Sequence, residues 1–322
     1  MTEPASGKIT SNQFPSQNNG KDKKCAGMGV TPGGVSSFPC TFFLTLATIT
    51  WYPTMTLKDD LRGVLPPEVA EMVPRGFQVI GDIAVILLPP ELHEFRHMIA
   101  AAILSRHRNV HTVASREQIP RGDSRVADLE VIAGIDRTIT LYREYGFCYR
   151  LDVKSTFFSA RLASERRRVW MQVKPWEEVL VPYAGVGPFA IPPASRGAIV
   201  TAVEKNPLAC RFLRQNVSLN RVEGRIFIHE GDVSKVLSEI SVEFDRAIIP
   251  APYGHDQALF SLLPVVREGG AINFYTFKRA SQVPAIQSEY ERAGLEVRSI
   301  RKCGYVAPGI ARYAFDMVKR RK

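Results

Sequence analysis

The stretch Glu178-Val-Leu-Val-Pro-Tyr-Ala-Gly-Val-Gly-Pro-Phe-Ala190 decides the fold of this chain. Its apolar run leads into Gly185 and Gly187, which predicts a buried strand ending in a glycine turn. Nineteen residues after Gly185, Glu204 ends a second apolar run that starts at Ala198. Glycine lets the backbone approach a ligand closely, and an acid at the tip of the next strand can accept both ribose hydroxyls. These features predict a nucleoside pocket.

A further acid extends the predicted pocket. Asp232 follows a third predicted strand, and ligands of doubly wound sheets lie at the carboxyl ends of the strands. We expect Asp232 to accept the exocyclic amine of adenine; the alternative is that it caps a helix beginning at Val233. The turn from Ala184 to Gly187 lacks the Gly-x-Gly-x-x-Gly pattern that binds a pyrophosphate. The pocket therefore favours S-adenosylmethionine, which has ribose and adenine but no phosphate, over a dinucleotide.

The composition is that of a globular protein with a basic surface. The 322 residues include 42 Lys and Arg against 32 Asp and Glu, for a formal net charge of +10. This charge suits a nucleic-acid partner, although a solvated basic surface would give the same balance. The five cysteines and six histidines show no metal-ligand spacing and no disulfide framework. We expect reduced thiols, no metal, a cytoplasmic location and a monomer.

The chain divides into three parts in this interpretation. Residues 1–54 are predicted to be disordered or a spurious extension, with Met55 starting the functional polypeptide. Their apolar patch, residues 38–54, is too short and too rich in Thr and Pro to span a membrane. Residues 55–155 are predicted to form a small α+β domain that binds the substrate. Residues 156–322 are predicted to form the domain that holds the nucleoside pocket.

The last part alternates between strands and helices, which predicts a Rossmann-like α/β domain with a mostly parallel, seven-stranded sheet. A long helix is expected to begin at Phe158. The predicted strands cover 178–183, 198–203, 225–229, 245–249, 271–276, 296–303 and 311–318. The predicted helices cover 188–194, 207–219, 233–239, 256–266 and 280–293.

Several motifs together resemble the archaeal and eukaryotic tRNA guanine-37 N1-methyltransferase family, which includes the related wybutosine-pathway aminocarboxypropyltransferases. The resemblance runs from about Phe77 to the C-terminus. It rests on these segments: Phe157-Phe-Ser-Ala-Arg161, Glu165-Arg166, Ala184-Gly-Val-Gly-Pro-Phe189, Glu204-Lys-Asn-Pro207, Gly231-Asp232, Phe274-Tyr-Thr-Phe277, Tyr305-Val-Ala-Pro-Gly309, and, in the small domain, Gly81-Asp-Ile-Ala84 and Gly122-Asp-Ser-Arg125.

The resemblance implies a class I S-adenosylmethionine-dependent methyltransferase acting on tRNA, and it assigns roles to residues. The target guanine is flipped out of the anticodon loop, Glu165 takes its N1 proton, and Arg125 holds O6 and stabilises the developing charge. Arg166 bridges cofactor and substrate. The other cofactor contacts are Tyr183, Gly185, Gly187, Glu204, Lys205, Asp232, Val233 and Pro250. The other substrate contacts are Phe157, Arg161, Pro252 and Tyr253.

Two positions depart from the family pattern. Val181-Pro182 stand where the first strand usually ends with an acid, and Pro250 replaces the Asn of an Asn-Leu-Pro motif that positions the guanine. The altered proline motif is also found in the aminocarboxypropyltransferases, so Pro250 favours that branch. Glu165 and the Tyr-Thr-Phe run favour the methyltransferase branch. For Glu165 itself, a local ion pair with the arginines that follow it on a solvated helix face is the alternative.

Four functions stay open at this point. We expect N1-methylguanosine formation beside the anticodon; the second possibility is aminocarboxypropyl transfer to a tricyclic guanosine precursor at the same position. The third is a non-catalytic RNA-binding relative, and the fourth is methylation of a protein or small molecule. For tRNA, the predicted phosphate contacts are Arg161, Arg166, Arg167, Arg168 and the C-terminal Lys319-Arg-Arg-Lys322.

Overall fold

The computed structural model describes residues 56–116 and 129–321. The predictions for residues 1–54 and for Met55 lie outside these ranges, and so does Arg125. The first described elements, in chain order, are α1 (Leu57–Leu61), α2 (Pro67–Met72), β1 (Gln78–Ile80), β2 (Ile83–Leu87), α3 (Arg96–Arg106), β3 (Thr112–Arg116), β4 (Leu129–Gly134), β5 (Ile139–Glu144) and β6 (Phe147–Asp152).

A four-stranded sheet and three helices form the small N-terminal unit. The strand order is β1-β2-β3-β4, with β2 and β3 parallel and both outer pairs antiparallel. Gly81 and Asp82 separate β1 from β2, and Gly81 has a φ of +60°. Helix α3 packs on this sheet through Ile99 and Ile103, which are fully buried. Apolar positions three or four residues apart thus form the helix face that covers the sheet.

The remaining elements form the larger α/β unit. They are α4 (Ala163–Trp170), β7 (Glu178–Pro182), α5 (Ile191–Ser195), β8 (Ile199–Glu204), α6 (Pro207–Leu219), β9 (Ile226–Glu230), α7 (Val233–Glu239), β10 (Phe244–Ile249), α8 (Ala258–Leu262), β11 (Val266–Lys278), α9 (Val283–Arg292), β12 (Leu295–Ala307) and β13 (Ile310–Lys319). The long helix expected from Phe158 is wrong in length: a 3-10 turn over Ala160–Leu162 precedes α4.

The seven-stranded sheet has the order β12-β13-β11-β10-β7-β8-β9 within the described residues. Strands β7 to β11 pair in parallel, and β13 is antiparallel to both β11 and β12. This confirms the predicted, mostly parallel α/β sheet. Apolar clusters cover both faces, as a sheet wrapped by helices requires. The order reverses between β7 and β10, which is where such sheets open a crevice for ligands.

The hairpin of β5 and β6 is fastened to helix α6 by two asparagines. The buried Asn216 accepts a hydrogen bond from the Arg150 N–H and donates to the carbonyl oxygens of Arg150 and Val186. Asn220 likewise accepts a hydrogen bond from the Cys148 N–H and donates one to the Cys148 carbonyl oxygen. Because Val186 belongs to the glycine turn, Asn216 ties the hairpin to that turn.

None of the helices that the structure describes is long and apolar enough to cross a membrane. Across residues 56–116 and 129–321, no group of three or more His, Cys, Asp or Glu side chains is arranged to hold a metal ion.

Candidate functional site

A cavity of about 510 Å³ opens at the carboxyl ends of the central parallel strands. It lies at the point where the strand order reverses, as expected for a doubly wound sheet. The structure brings ten of the predicted site residues to its wall: Phe157, Arg166, Tyr183, Gly185, Glu204, Lys205, Asp232, Val233, Pro250 and Pro252. Gly187, Glu165, Arg161 and Tyr253 lie outside the lining.

The two glycines of the turn serve different purposes. Gly185 has a φ of +56°, and a Cβ there would have its nearest neighbour at 3.9 Å, the Phe157 carbonyl oxygen. Gly187 has a φ of +98°, and its Cβ would stand 2.5 Å from the Cδ1 of Leu213 and 2.9 Å from that of Ile191. Gly185 therefore keeps space open at the cavity wall, whereas Gly187 lets the turn pack on helices α5 and α6.

Replacing Gly187 with alanine is expected to destabilise the protein by about 1–3 kcal/mol more than replacing Gly185, because only the first change overpacks the core. Both residues have a positive φ, so the backbone strain is shared by the two variants. Urea unfolding of Gly187→Ala and Gly185→Ala measures the difference. Equal unfolding free energies would contradict the packing role of Gly187.

The carboxylate of Glu204 is anchored at the end of β8. Its two oxygens accept hydrogen bonds from the backbone N–H of Gly185 at 2.7 Å and of Asn206 at 2.8 Å. The first bond fixes the side chain against the glycine turn that precedes it in the sheet. A carboxylate oxygen has lone pairs for more than one donor, so Glu204 can accept ribose hydroxyls while it holds the turn.

Asp232 is the N-cap of helix α7, which confirms that it caps the helix beginning at Val233. Its carboxylate accepts from the backbone N–H of Ser234 at 3.0 Å and from the Ser234 hydroxyl at 2.6 Å. These bonds lower the pKa of Asp232 from its ordinary value. Its other oxygen stands 3.9 Å from Lys205 Nζ. The side chain also lines the cavity, and its contact with adenine stays a prediction.

The loop after β10 carries the proline motif to the cavity. Pro250 and Pro252 line the wall, next to His255. Tyr253 is 62% exposed, and its ring centroid lies 5.5 Å from that of Phe277. Tyr253 therefore stands outside the cavity with a face available to a base. Across the loop, the ring of His255 meets that of Tyr183 edge-on at 6.0 Å.

Glu165 lies in a buried ion-pair cluster beside the cavity. Its side chain accepts from Arg168 Nε at 2.9 Å, and the Arg301 Nε stands 3.5 Å away. The hydroxyl of Tyr275, whose side chain lines the cavity, donates to Glu165 at 3.4 Å. Glu165 is only 8% exposed, so the interpretation of a solvated helix face is wrong. The pairing with Arg168 is real, but it is buried and shared with other groups.

Arg166 is fully engaged by other parts of the protein. It forms a two-pronged pair with Glu144, with both donor–acceptor distances 2.5 Å, and it donates to the Ser159 carbonyl oxygen. Its guanidinium also lies 5.1 Å from the ring centroid of Phe158. The guanidinium of Arg168 binds Asp316. Arg166 is thus wrong as a phosphate contact, because it is buried and paired with Glu144. Arg168 is half-buried and paired with Asp316, and its role as a phosphate contact stays a prediction.

The exposed residues of that basic segment are Arg161 and Arg167. Arg161 lies in the 3-10 turn before α4. Arg167 lies on α4 with its guanidinium 5.2 Å from the ring centroid of the half-exposed Tyr145. Both remain available to a phosphate backbone, and that role stays a prediction.

Several residues of the cavity wall received no role from the sequence, among them Tyr275 and Arg312. Burial raises the pKa of Tyr275 well above its ordinary value, so its hydroxyl stays protonated and donates. Tyr275 lies in β11, and Phe277, two residues further along the same strand, pairs with Arg312 of β13. Tyr275 and Arg312 fall within or next to motifs that carry the resemblance, but their place in the cavity wall appears only in the folded structure.

The comparisons with known proteins agree with this fold. The model of the TRM5/TYW2 methyltransferase domain matches residues 140–296, and the model of the TYW2 N-terminal domain matches residues 57–138. The chain is 37% identical over 213 residues to tRNA (guanine(37)-N(1))-methyltransferase Trm5b of Pyrococcus abyssi, covering 66% of this chain and 63% of that protein. It is 30% identical over 278 residues to the tRNA(Phe) (4-demethylwyosine(37)-C(7)) aminocarboxypropyltransferase of Pyrococcus horikoshii, covering 81% and 95%.

Solved structures give the same result. The tRNA m1G37 methyltransferase of M. jannaschii matches with a TM-score of 0.73 and 27% identity, over 84% of this chain and 80% of that one. P. horikoshii TYW2 in complex with MeSAdo matches with a TM-score of 0.66 and 28% identity, over 81% and 97%. With the aminocarboxypropyltransferase matched over nearly its whole length, the chain belongs to the TRM5/TYW2 methyltransferase family.

Proposed function

We propose that this protein is an S-adenosylmethionine-dependent tRNA methyltransferase that forms N1-methylguanosine at position 37, next to the anticodon. The position is that named for the Pyrococcus abyssi relative, of which the chain spans 63%. One observation carries the proposal. The cavity joins an end formed by Glu204 and Asp232, which we assign to the nucleoside, to an end at Pro250 and Tyr275 that adjoins the buried carboxylate of Glu165.

The residues present fit the proposed cofactor. Glu204 offers carboxylate oxygens at the ribose position, beside the open glycine turn. Apolar side chains, including Leu237, Ala258 and Leu262, line the same cavity and suit an adenine ring. The bound cofactor would supply an activated methyl group on its sulfonium.

In the proposed reaction, a bond forms between N1 of guanine and the methyl carbon as the bond between that carbon and sulfur breaks. The N1 proton passes to Glu165, which lies within hydrogen-bond reach of the cavity-lining Tyr275. Arg166, which is buried and held by Glu144, also lines the cavity. Arg125 is proposed to hold O6, as the resemblance implies.

Aminocarboxypropyl transfer is the second candidate, and specific observations favour it. The match over residues 57–138 is to the TYW2 N-terminal domain, and the chain covers 95% of the aminocarboxypropyltransferase. Pro250, which lines the cavity, offers no side-chain donor or acceptor to a base. In that reaction the cofactor would supply its amino-acid chain instead of its methyl group. The carbon–sulfur bond to that chain would be replaced by a bond to a ring carbon of the base, and the base would lose the proton of that carbon.

The experiment that separates these functions uses S-adenosylmethionine labelled in either the methyl or the carboxyl position. We expect methyl label in an unmodified tRNA transcript with guanine at the position named for the relatives, 37. A second tRNA carrying 4-demethylwyosine there tests the runner-up. If only the carboxyl label is transferred, and only to that second tRNA, the function is aminocarboxypropyl transfer and not methylation. Cofactor binding by calorimetry without label in either tRNA would contradict both.

The cytoplasmic location and the monomeric state belong to the same proposal. The expected partner is tRNA, approached by Arg161, Arg167 and the exposed Tyr253. Gel filtration with light scattering measures the mass of the protein against the 35.9 kDa of one chain.

A further inference from the structure

Arg312 is a cavity arginine that no described carboxylate neutralises. It lies in β13, opposite Phe277 of β11, and its side chain lines the cavity. Its guanidinium stands 4.8 Å from the centroid of the Phe277 ring. Within the described ranges, no carboxylate or carbonyl oxygen forms an ion pair or side-chain hydrogen bond with it.

The other arginines that are buried or half-buried in this unit differ from the half-buried Arg312. Arg166 meets Glu144, Arg168 meets Asp316, and Arg246 meets Glu177. A buried charge without a partner is costly. Burial is the largest influence and lowers the pKa of Arg312; the nearby Cys303 and Tyr275 raise it, and the cationic Arg166 and Arg161 lower it. A guanidinium kept in such a place is best explained by an anionic or carbonyl oxygen that arrives with a ligand.

The position of Arg312 in the sheet indicates which of the proposed ligands it would meet. Glu204 ends β8 and the glycine turn follows β7, so the nucleoside end of the cavity lies over these strands. In the order β8-β7-β10-β11-β13, Arg312 stands four strands from Glu204. At ~4.8 Å between neighbouring strands, this is about 19 Å. Arg312 lies two strands beyond Pro250, on the side away from the proposed cofactor.

We propose that Arg312 binds the tRNA nucleotide that enters the cavity, by donating hydrogen bonds to an oxygen of that nucleotide; this rests on the proposed function. The oxygen belongs either to the keto group of the base or to the adjoining phosphate. The Phe277 ring stacks on one face of the guanidinium and leaves its N–H edge free for a planar, two-pronged contact. The exposed Tyr253, 5.5 Å from Phe277, continues this aromatic surface out of the cavity.

The test compares Arg312→Gln with Arg298→Gln. The control residue, in β12, has a side chain 61% exposed and pairs with Glu296 at 2.8 Å. We expect Arg312→Gln to lower kcat/KM for the tRNA transcript by about tenfold to a hundredfold, the usual loss for a hydrogen bond to a charged group. S-adenosylmethionine affinity, measured by calorimetry, stays unchanged in both variants. Arg312→Lys, which keeps the charge but loses the planar fork, recovers part of the loss.

Two arms distinguish the sources of the oxygen. If the partner is a phosphate, tRNA binding weakens and its dependence on salt becomes shallower by about one ion. If it is the keto oxygen, the wild type and Arg312→Gln bind equally well to a tRNA with 2-aminopurine, which lacks that oxygen, at the target position. A circular dichroism melt checks that each variant is folded.

Other outcomes overturn the assignment. The assignment is wrong if Arg312→Gln has the same rate, tRNA affinity and salt dependence as Arg298→Gln. It is also wrong if Arg312→Gln loses affinity for the cofactor and still binds tRNA normally. A wild-type protein that binds tRNA but transfers nothing contradicts the proposed function, while the binding comparison still decides the role of Arg312. A wild type that neither binds nor modifies tRNA overturns both.

Discussion

Replacing Glu165 with glutamine is expected to slow methyl transfer by about 10²- to 10⁴-fold, the range for loss of a general base. The affinity for S-adenosylmethionine should change little, because the proposed ribose and adenine contacts, Glu204 and Asp232, follow β8 and β9, whereas Glu165 lies on α4. Single-turnover rates with a tRNA transcript and calorimetric titration with the cofactor measure the two effects separately. Glutamine keeps the size of the side chain and an oxygen that can still accept from Arg168.

The surroundings of Glu165 supply the competing explanation for any loss of rate. Arg168, Arg301 and the Tyr275 hydroxyl all lie against its carboxylate. Breaking one partner of a buried ion pair costs about 3–5 kcal/mol because the other charge is left uncompensated. A purely structural Glu165 would therefore also impair the enzyme, through instability.

Asp316→Asn provides the matched control. Asp316 accepts from the same guanidinium, that of Arg168, and also from Asn273 Nδ2. Burial alone would raise the pKa of Asp316, but the bonds from Arg168 and Asn273 lower it below its ordinary value. This variant removes a comparable charge from the cluster and leaves the proposed base in place. Its transfer rate, corrected for the folded fraction, should stay within about tenfold of the wild type.

The acid limb of the pH–rate profile gives a second readout. A general base produces a rate that rises with pH through its own ionisation, and the limb disappears when the base is removed. We expect this limb in the wild type and in Asp316→Asn but not in Glu165→Gln. If the Glu165 and Asp316 variants lose equal activity and keep the same profile, Glu165 is a structural ion-pair residue.

The sequence predicted the elements whose boundaries are set by local signals. Helices α6 and α7 begin and end at the predicted residues, 207–219 and 233–239. Asn206 and Asp232 cap them through their own side chains, at 3.0 Å in each case, and Pro207 fits the first helical position. The glycine turn and Glu204 were also found locally, because strand, turn and acid follow one another within a short stretch.

Contacts between distant segments could not be predicted in this way. The pairing of Arg168 with Glu165 is local, but Asp316 lies 148 residues further along the chain. Likewise, the pairing of Arg166 with Glu144 depends on how the hairpin docks on the larger sheet. A run of charged residues on a helix looks solvated when only its own periodicity is considered. Packing against β13 and the hairpin instead turns Arg168 and Arg166 into partners of internal carboxylates.

The departure at Val181-Pro182 has a partial physical account. Val181 is fully buried, and Pro182 is paired with Val203 of β8 at the end of β7. An apolar strand end can pack there, and the glycine turn is ordered instead by the hydrogen bond from the Gly185 N–H to Glu204. Glu204 orders the turn, and we propose that it also binds the ribose. A change at Glu204 should therefore affect cofactor binding more than a change at any other position.

Glu204→Gln is expected to weaken S-adenosylmethionine binding by about a hundredfold. The glutamine amide presents N–H groups where the carboxylate now accepts from Gly185 or Asn206, so one backbone donor loses its partner. The ribose hydroxyls also lose a charged acceptor. Each hydrogen bond to a charged group contributes about 1.5–3 kcal/mol, and about 1.4 kcal/mol corresponds to tenfold in affinity. Calorimetric titration measures the loss directly.

Glu230→Gln is the control, because Glu230 ends the neighbouring strand β9 and pairs in register with Glu204. Its carboxylate is partly exposed and meets Arg214 at 3.2 Å, outside the cavity. The control should bind the cofactor with wild-type affinity. Because both variants lose one negative charge, the difference between them measures the contact that Glu204 makes with the cofactor. If the Glu204 variant binds as tightly as the control, the acid only orders the turn and the ribose must be held elsewhere in the cavity.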